Sequence, residues 1–201
     1  MTHTLIVPGV GGSEYDHWQS WLQRQLMSCS RVQQKDWNLP ILKDWIEQFV
    51  KTVRPIKEDI QIVAHSFGCL TTIAALAQHP ELNAKIKKLV LVAPANPARF
   101  GDAGFARDSN NDYAAYFQQL KISVPTTMII SENDPWLGFE DAQNLAKAWK
   151  QKPVSVGLAG HINVASGYGP FPEIFKHLIS AQEISHFCIS NEHHYLFKLA
   201  I

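Results

Sequence analysis

Residues 59–77 read DIQIVAHSFGCLTTIAALA, and this stretch decides the fold. Its first half is rich in β-branched residues and predicts a short strand, while its second half is rich in small residues and predicts a helix. Ser66 stands at the abrupt turn between them, and Gly68 follows two residues later. A serine on such a turn projects its hydroxyl over the carboxyl edge of a sheet, beside the positive N-terminus of the next helix. The stretch therefore predicts a nucleophile elbow.

The elbow motif is usually written G-x-S-x-G, and Ala64 takes the place of its first glycine. Both small positions let the strand and helix backbones approach closely, and alanine adds the least bulk after glycine. A serine followed by a glycine also occurs in ordinary turns, so the pentapeptide leaves a catalytic and a purely structural interpretation open. The rest of the chain has to decide between them.

Composition limits the kind of protein that this sequence encodes. With 201 residues, 46% hydrophobic and 18% charged, the chain suits one globular domain, which we expect over residues 1–180, followed by a tail over 181–201. The formal net charge is zero, and no apolar run is long enough to cross a bilayer, so we expect neither a nucleic-acid partner nor a membrane. Three irregularly spaced cysteines and an N-terminus unlike a secretion signal favour a cytoplasmic protein with a small-molecule partner.

Strand-like and helix-like segments alternate along the chain. Six segments favour strands, the second only weakly: residues 4–7, 32–37, 60–65, 88–93, 126–131 and 154–156. Six others favour helices: residues 17–27, 41–50, 67–79, 113–120, 139–150 and 172–179. This alternation predicts right-handed crossovers and an α/β fold, with a doubly wound, mostly parallel sheet of about six strands and helices on both faces.

The loops at the carboxyl ends of such strands are where ligands bind. Ser66 follows the third predicted strand, Asp134 the fifth and His161 the last. This is the chain order of an α/β-hydrolase triad, in which the histidine accepts the serine proton and the aspartate holds the imidazole. An Asp-Pro pair or a Gly-His pair is, taken singly, ordinary loop chemistry. Three matches after three separate strands reinforce one another and predict a catalytic triad.

An acyl-transfer serine also needs N–H donors for the oxyanion that develops on its substrate. One is expected to be the backbone N–H of Phe67, the residue after the nucleophile. The other should come from residues 8–12, Pro-Gly-Val-Gly-Gly, where we choose the Val10 N–H and keep Gly11 as the alternative. The glycine spacing in this loop matches neither a dinucleotide fingerprint nor a P-loop. Trp136 and Phe67 adjoin predicted catalytic residues, and we expect them to line an acyl pocket.

Several motifs together are typical of one family. They are PGVGGS at 8–13, HWQSW at 17–21, AHSFG at 64–68, SENDP at 131–135 and GH at 160–161. Over about residues 4–179 the chain resembles the small serine hydrolases of the retinoblastoma-binding protein nine and YdeN group. The resemblance implies a compact α/β-hydrolase fold with little or no cap. It also implies a triad of Ser66, Asp134 and His161 and no metal or organic cofactor.

The hypothesis that follows is a serine hydrolase that cleaves a small carboxylic ester, thioester or amide through an acyl-enzyme on Ser66. The alternative is a catalytically inactive α/β-hydrolase-fold protein that serves in binding or scaffolding. Fold alone does not choose among the three bond types. Residues 94–112, rich in Asn, Asp, Gly and Pro, form either a lid or a plain surface loop.

The C-terminal part of the sequence adds little to the functional hypothesis. Four of its histidines lack the spacing and companion ligands of a metal site, so no metal is predicted there: His177, His186, His193 and His194. Residues 195–197, Tyr-Leu-Phe, suit docking either on the body of the protein or on another subunit. The role of the tail and the oligomeric state therefore stay open.

Overall fold

The structure is a computed structural model that describes residues 2–99 and 112–178. The chain divides into two compact units, Met1–Pro170 and Phe171–Ile201. The first unit contains the whole sheet and all the predicted site residues. In the second unit a 3-10 turn, Pro172–Ile174, leads into a short helix, α6, at Phe175–Leu178. The single domain expected over residues 1–180 stays a prediction.

The described residues contain six strands, which form one parallel sheet in the order β2-β1-β3-β4-β5-β6. The strands are β1 (His3–Val7), β2 (Cys29–Arg31), β3 (Ile60–Ser66), β4 (Ile86–Pro94), β5 (Thr126–Ile130) and β6 (Val154–Ser155). The direction of winding reverses between β1 and β3, which are neighbours although β2 lies between them in the chain. Ligands of such sheets bind at this reversal, outside the carboxyl ends of the strands. The loop after β1 and the turn after β3 are therefore the places where chemistry is expected.

The crossovers between the strands place helices on both faces of the sheet. The remaining α-helices are α1 (Trp18–Gln25), α2 (Leu42–Val53), α3 (Phe67–Gln78), α4 (Tyr113–Gln119) and α5 (Phe139–Ala148). Shorter 3-10 segments lie at Pro80–Lys85, Pro97–Arg99 and Val164–Ser166. The predicted fold class, a doubly wound parallel sheet of six strands, is confirmed.

The core lies around β3, β4 and α3. From Ile62 to Ala64 the side chains of β3 are fully buried, as is typical of a parallel strand covered on both faces. Helix α3 is apolar and is buried along nearly its whole length. Its two threonines can be buried because their hydroxyls donate to carbonyls one turn earlier, at Phe67 and Gly68. Helix α2 instead buries one face, from which Trp45 packs edge-on against the Phe67 ring at 5.0 Å between centroids.

Three expectations about single elements need correction or fall outside the described residues. The second strand is Cys29–Arg31 and not residues 32–37, because the chain leaves the sheet after Val32, whose N–H donates to the Ile6 carbonyl. The closing helix begins as a 3-10 turn, since Pro172 favours a first turn without the usual N–H donor. Of the expected lid or loop, residues 100–111 lie outside the described part of the chain, and so does the tail.

No helix among residues 2–99 and 112–178 is long and apolar enough to cross a membrane.

Candidate active site

Ser66 occupies the strained turn that the sequence predicts. It ends β3 and precedes α3 with φ 54° and ψ −124°, a backbone conformation that residues other than glycine rarely adopt. The turn is possible because Gly68 presses α3 onto the end of β1, where a β-carbon would overlap the carbonyl oxygens of Val7 and Pro8. Ala64, by contrast, lies within β3 opposite Val7, where its methyl group is fully buried. The second small position of the motif is therefore the one that demands glycine.

Asp134 lies in the loop after β5 and is held by backbone N–H groups. Its Oδ1 accepts hydrogen bonds from the Trp136 N–H at 2.8 Å and the Leu137 N–H at 3.4 Å. The residue is only 8% exposed. These backbone donors fix the direction in which the second oxygen of the carboxylate points.

The loop that carries His161 is tied to the loop after β5. The Asn133 side-chain oxygen accepts the Gly160 N–H at 2.7 Å, and the Ser131 hydroxyl accepts the Ala159 N–H at 3.0 Å. Within its own loop, the His161 N–H donates to the Ser166 hydroxyl at 3.1 Å. Sequence reasoning missed these supporting side chains. The signal that could have found them is the polar run SEND at 131–134, directly after a buried strand.

The structure brings Ser66, Asp134 and His161 into one hydrogen-bonded series. His161 Nδ1 lies 2.8 Å from Asp134 Oδ2 and 3.0 Å from Oδ1, while His161 Nε2 lies 2.9 Å from Ser66 Oγ. A carboxylate only accepts hydrogen bonds, so Nδ1 carries the proton and the neutral ring presents a lone pair at Nε2 to the Ser66 hydroxyl. Such a series can withdraw the hydroxyl proton as the oxygen attacks an electrophile.

The loop after β1 lies against the turn at Ser66, and hydrogen bonds to Trp37 and Arg31 hold it in place. The Gly11 N–H donates to the Trp37 carbonyl at 3.0 Å, and the Arg31 guanidinium donates to the carbonyls of Gly12 and Ser13 at 2.8 and 3.0 Å. Among residues 2–99 and 112–178, the Val10 N–H has no hydrogen-bond partner. Of the two donors considered from this loop, Gly11 is thus already engaged.

The two residues expected to line a pocket differ in their surroundings. Trp136 is 37% exposed, its ring centroid lies 6.3 Å from that of His161, and the Arg99 guanidinium stacks on it at 4.6 Å. The Phe67 side chain is fully buried against Trp45. The geometry therefore supports Trp136 as a pocket residue more than Phe67. The Phe67 side chain points into the core, and only the backbone of this residue adjoins Ser66.

Two further histidines pack beneath His161, and burial keeps both neutral. The ring centroid of His65 lies 5.0 Å from that of His161 and 4.9 Å from that of His17. Burial, with smaller contributions from Arg31 and His161, lowers the pKa of His17 to about 3. Burial, followed by the proximity of His161 and His17, lowers the pKa of His65 well below its usual value.

The cysteines near the sheet do not form a reactive site. Cys69 is fully buried behind the elbow, where its Sγ lies 3.5 Å from the Val92 carbonyl oxygen, and burial raises the pKa of its thiol. Burial also raises the pKa of the Cys29 thiol to about 11. Both thiols are therefore protonated near neutral pH and poorly nucleophilic.

The described residues contain no group of three or more His, Cys, Asp or Glu side chains arranged to hold a metal ion. Three of the histidines considered for metal binding, His186, His193 and His194, lie outside those residues.

Comparison with known proteins identifies the family to which the chain belongs. The sequence model of the family described as serine hydrolase matches residues 4–180. YdeN of Bacillus subtilis (strain 168), named as a hydrolase, is 25% identical over 189 residues, which cover 87% of this chain and 93% of YdeN. A crystal structure named as that of a YdeN-like hydrolase from Pectobacterium atrosepticum matches with a TM-score of 0.74 at 33% identity, over 88% of each chain.

The crystal structure of the ydeN gene product from B. subtilis matches with a TM-score of 0.67 at 18% identity, over 88% of this chain and 96% of that one. At this identity the match is evidence for the fold alone. The predicted resemblance to YdeN is confirmed, while the link to retinoblastoma-binding protein nine stays a prediction. The fold is that of the α/β-hydrolases. The chain belongs to the serine hydrolase family and is a hydrolase similar to YdeN.

Proposed function

We propose that this hydrolase cleaves a small carboxylic ester, thioester or amide through an acyl-enzyme on Ser66. The observation that carries the proposal is the series from Asp134 through His161 to Ser66, with 2.8 Å and 2.9 Å between its successive polar atoms. These are the distances at which a base can take a proton from a nucleophile.

In the first step Ser66 Oγ bonds to the substrate carbonyl carbon, and its proton passes to His161 Nε2. The bond to the leaving group then breaks, and the leaving group takes that proton. In the second step water attacks the acyl-enzyme, gives its proton to His161 and releases the acid, while the proton returns to Ser66. Asp134 stabilises the imidazolium ion in both steps and keeps Nδ1 protonated.

The negative charge that develops on the substrate carbonyl oxygen requires hydrogen-bond donors directed at that oxygen. We assign this role to the backbone N–H groups of Val10 and Phe67. The engagement of Gly11 with the Trp37 carbonyl supports Val10 over its alternative. The position of Phe67, first in α3 and directly after the nucleophile, supports the second donor. Trp136, partly exposed beside His161, is proposed to contact the acyl group.

The proposal also includes a small-molecule acyl substrate and a cytoplasmic location. The formal net charge of zero supports the first, because nucleic-acid-binding domains typically carry an excess of positive charge. The free thiols of Cys29 and Cys69 support the second, since reducing compartments keep thiols unpaired.

A fluorophosphonate probe tests the nucleophile. The wild-type protein should gain the mass of one phosphonyl group, and Ser66→Ala should gain none. Ser123→Ala is the matched control, because Ser123 is exposed and precedes β5, at the opposite end of the sheet strands, so it should label like wild type. Failure of the folded wild type to label would overturn the proposal and favour a binding protein. Equal labelling of Ser66→Ala would overturn the assignment of Ser66 as the nucleophile.

Substrate class requires a second measurement. Nitrophenyl esters of graded acyl length, with thioesters and amides of the preferred acyl group, would rank the three bond types by kcat/KM. A burst of nitrophenol equal to the enzyme concentration is expected if deacylation is the slower step.

A further inference from the structure

The segment HWQSW at 17–21 has no role in the proposed reaction, yet its side chains reach the loops that carry the reacting groups. The Trp18 indole N–H donates to the Ile162 carbonyl at 2.8 Å. The Gln19 side-chain amide donates to the carbonyl of Val7, the last residue of β1, at 3.3 Å and to the carbonyl of Val63, within β3, at 3.0 Å. Trp18 and Gln19 are both 0% exposed. The first turn of α1 thus contacts the loop that carries His161. It also contacts β1 and β3, the strands that lead into residues 8–12 and into the turn at Ser66.

The residue before the nucleophile provides a second contact to the same histidine loop. His65 Nε2 lies 2.9 Å from the His161 carbonyl oxygen. Since a carbonyl only accepts, Nε2 must carry the proton, and the ring is neutral because burial lowers the pKa of His65 well below its usual value. Trp18 lies edge-on to this ring at 5.8 Å between centroids. The carbonyls of two successive residues, His161 and Ile162, are therefore held by two buried ring N–H donors.

The backbone held in this way is strained. Gly160 and Ile162 have φ values of 55° and 48° on either side of His161. A β-branched side chain is a genuine outlier in this left-handed region, and such a conformation persists only where the surrounding structure imposes it. The N–H groups of Ala159, Gly160 and His161 keep their own partners in the loop, so the two ring donors are what hold its carbonyl side. Without them the His161–Ile162 peptide can shift, and the His161 imidazole would shift with it. Such a movement would lengthen the 2.9 Å hydrogen bond between His161 Nε2 and Ser66 Oγ.

We propose that Trp18 and His65 are positioning residues of this hydrolase, whose ring N–H groups hold the strained His161–Ile162 backbone and thereby fix the imidazole against Ser66. The proposal rests on the function proposed for Ser66 and His161. Neither residue takes part in bond making. Their loss should lower kcat, because the proton transfer requires accurate alignment, and should leave KM nearly unchanged, because the contacts to the substrate remain.

The first test compares two tryptophan variants. Trp18→Phe keeps an aromatic ring and removes the N–H donor. Trp149→Phe is the matched control, because Trp149 is also 0% exposed and its indole N–H donates to the Phe117 carbonyl at the same distance, 2.8 Å, away from the series. We expect kcat to fall about a hundredfold in Trp18→Phe, with KM within about twofold. Trp149→Phe should lose comparable thermal stability and keep the wild-type kcat.

The second test uses rescue at position 65. His65→Gln places an amide N–H near the position of the imidazole Nε2, whereas His65→Leu places no donor there. The glutamine variant should therefore keep at least about ten times more kcat than the leucine variant. Equal kcat in the two variants, a wild-type kcat in Trp18→Phe, or an equal loss of kcat in Trp149→Phe would overturn the proposal.

A third measurement separates this proposal from the function on which it rests. The His161 Nδ1 proton, shared with Asp134, should give a downfield proton resonance in the wild type that persists in Ser66→Ala and weakens in Trp18→Phe. Labelling of Ser66→Ala by the fluorophosphonate would refute the nucleophile while leaving this spectrum as predicted. An unchanged resonance in Trp18→Phe would refute the positioning role while leaving the nucleophile intact.

Discussion

Gly9 and Ser66 lie directly against each other at the carboxyl ends of β1 and β3. A β-carbon added to Gly9 would stand 2.7 Å from the Ser66 β-carbon and 3.2 Å from its Oγ. Gly9 is not among the residues with positive φ, so the constraint is one of space and not of backbone conformation. The loop after β1 and the turn at Ser66 therefore approach so closely that there is no space for a side chain at position 9.

Gly9→Ala should impair catalysis more than folding. The added methyl group would displace Ser66 or the loop after β1. Overpacking of this kind costs about 1–3 kcal/mol of stability. We expect the rate of fluorophosphonate labelling to fall at least about tenfold, since small misplacements of reacting groups carry large penalties. Gly138→Ala is the control, because its β-carbon would meet only Asp141 Oδ2, at 3.9 Å. Wild-type labelling of a folded Gly9→Ala would contradict the prediction.

Gly68→Ala should destabilise the fold itself. Its β-carbon would overlap two backbone carbonyl oxygens, of Val7 and Pro8, which cannot rotate away as a side chain can. We expect a loss of roughly 3 kcal/mol or more in the free energy of unfolding, measured by urea denaturation. Ala64→Gly, which restores the usual elbow motif, should lose only about 1 kcal/mol, because it mainly adds backbone freedom within a strand. A larger loss at position 64 than at position 68 would contradict our interpretation of the motif.

Asp134→Asn should abolish most turnover while leaving the structure intact. The amide can still accept the Trp136 N–H, but its NH₂ group would face His161 and favour the wrong tautomer. We expect kcat to fall about ten-thousandfold, with a melting temperature close to that of the wild type. Asp141→Asn, an exposed carboxylate at the start of α5, is the matched control and should keep its activity. Normal turnover in Asp134→Asn would mean that another carboxylate supports the histidine.

His17 should make the protein less stable in mild acid. The groups that face it are Arg31, His161 and His65, and it is unprotonated in the folded state because burial lowers its pKa to about 3. The unfolded chain binds a proton near pH 6.5, so stability is lost as pH falls from 6.5 towards 3. Between pH 8 and pH 5 His17 alone should account for a loss of about 2 kcal/mol.

His17→Asn tests this assignment, since its side-chain oxygen can still accept the Gln19 N–H that caps α1. Urea unfolding at pH 8 and pH 5 should show a smaller difference in the variant, by about 2 kcal/mol. An identical pH dependence in the two proteins would show that His17 is not the group responsible.

Much of the fold was predictable because its signals are local. The strand, Ser66 and the small-residue helix follow one another within residues 59–77, and alternation of apolar segments predicted the parallel sheet. The short edge strand Cys29–Arg31 was misplaced, because a three-residue strand with half-buried side chains leaves no clear apolar period. Its pairing with β1 comes from backbone hydrogen bonds, to which the side-chain pattern gives no guide.

The sequence by itself determined the class of fold, the elbow and the identity of the three residues whose side chains now form one series. Chain order and loop position suffice for that, since parallel strands bring their carboxyl ends to one edge. Only the tertiary structure decided which side chains hold Asp134, His161 and Ser66 in this arrangement. The contacts of Trp18 to Ile162 and of His65 to His161 join residues 144 and 96 positions apart. No periodicity connects such distant positions, because packing in three dimensions alone brings them within hydrogen-bonding distance.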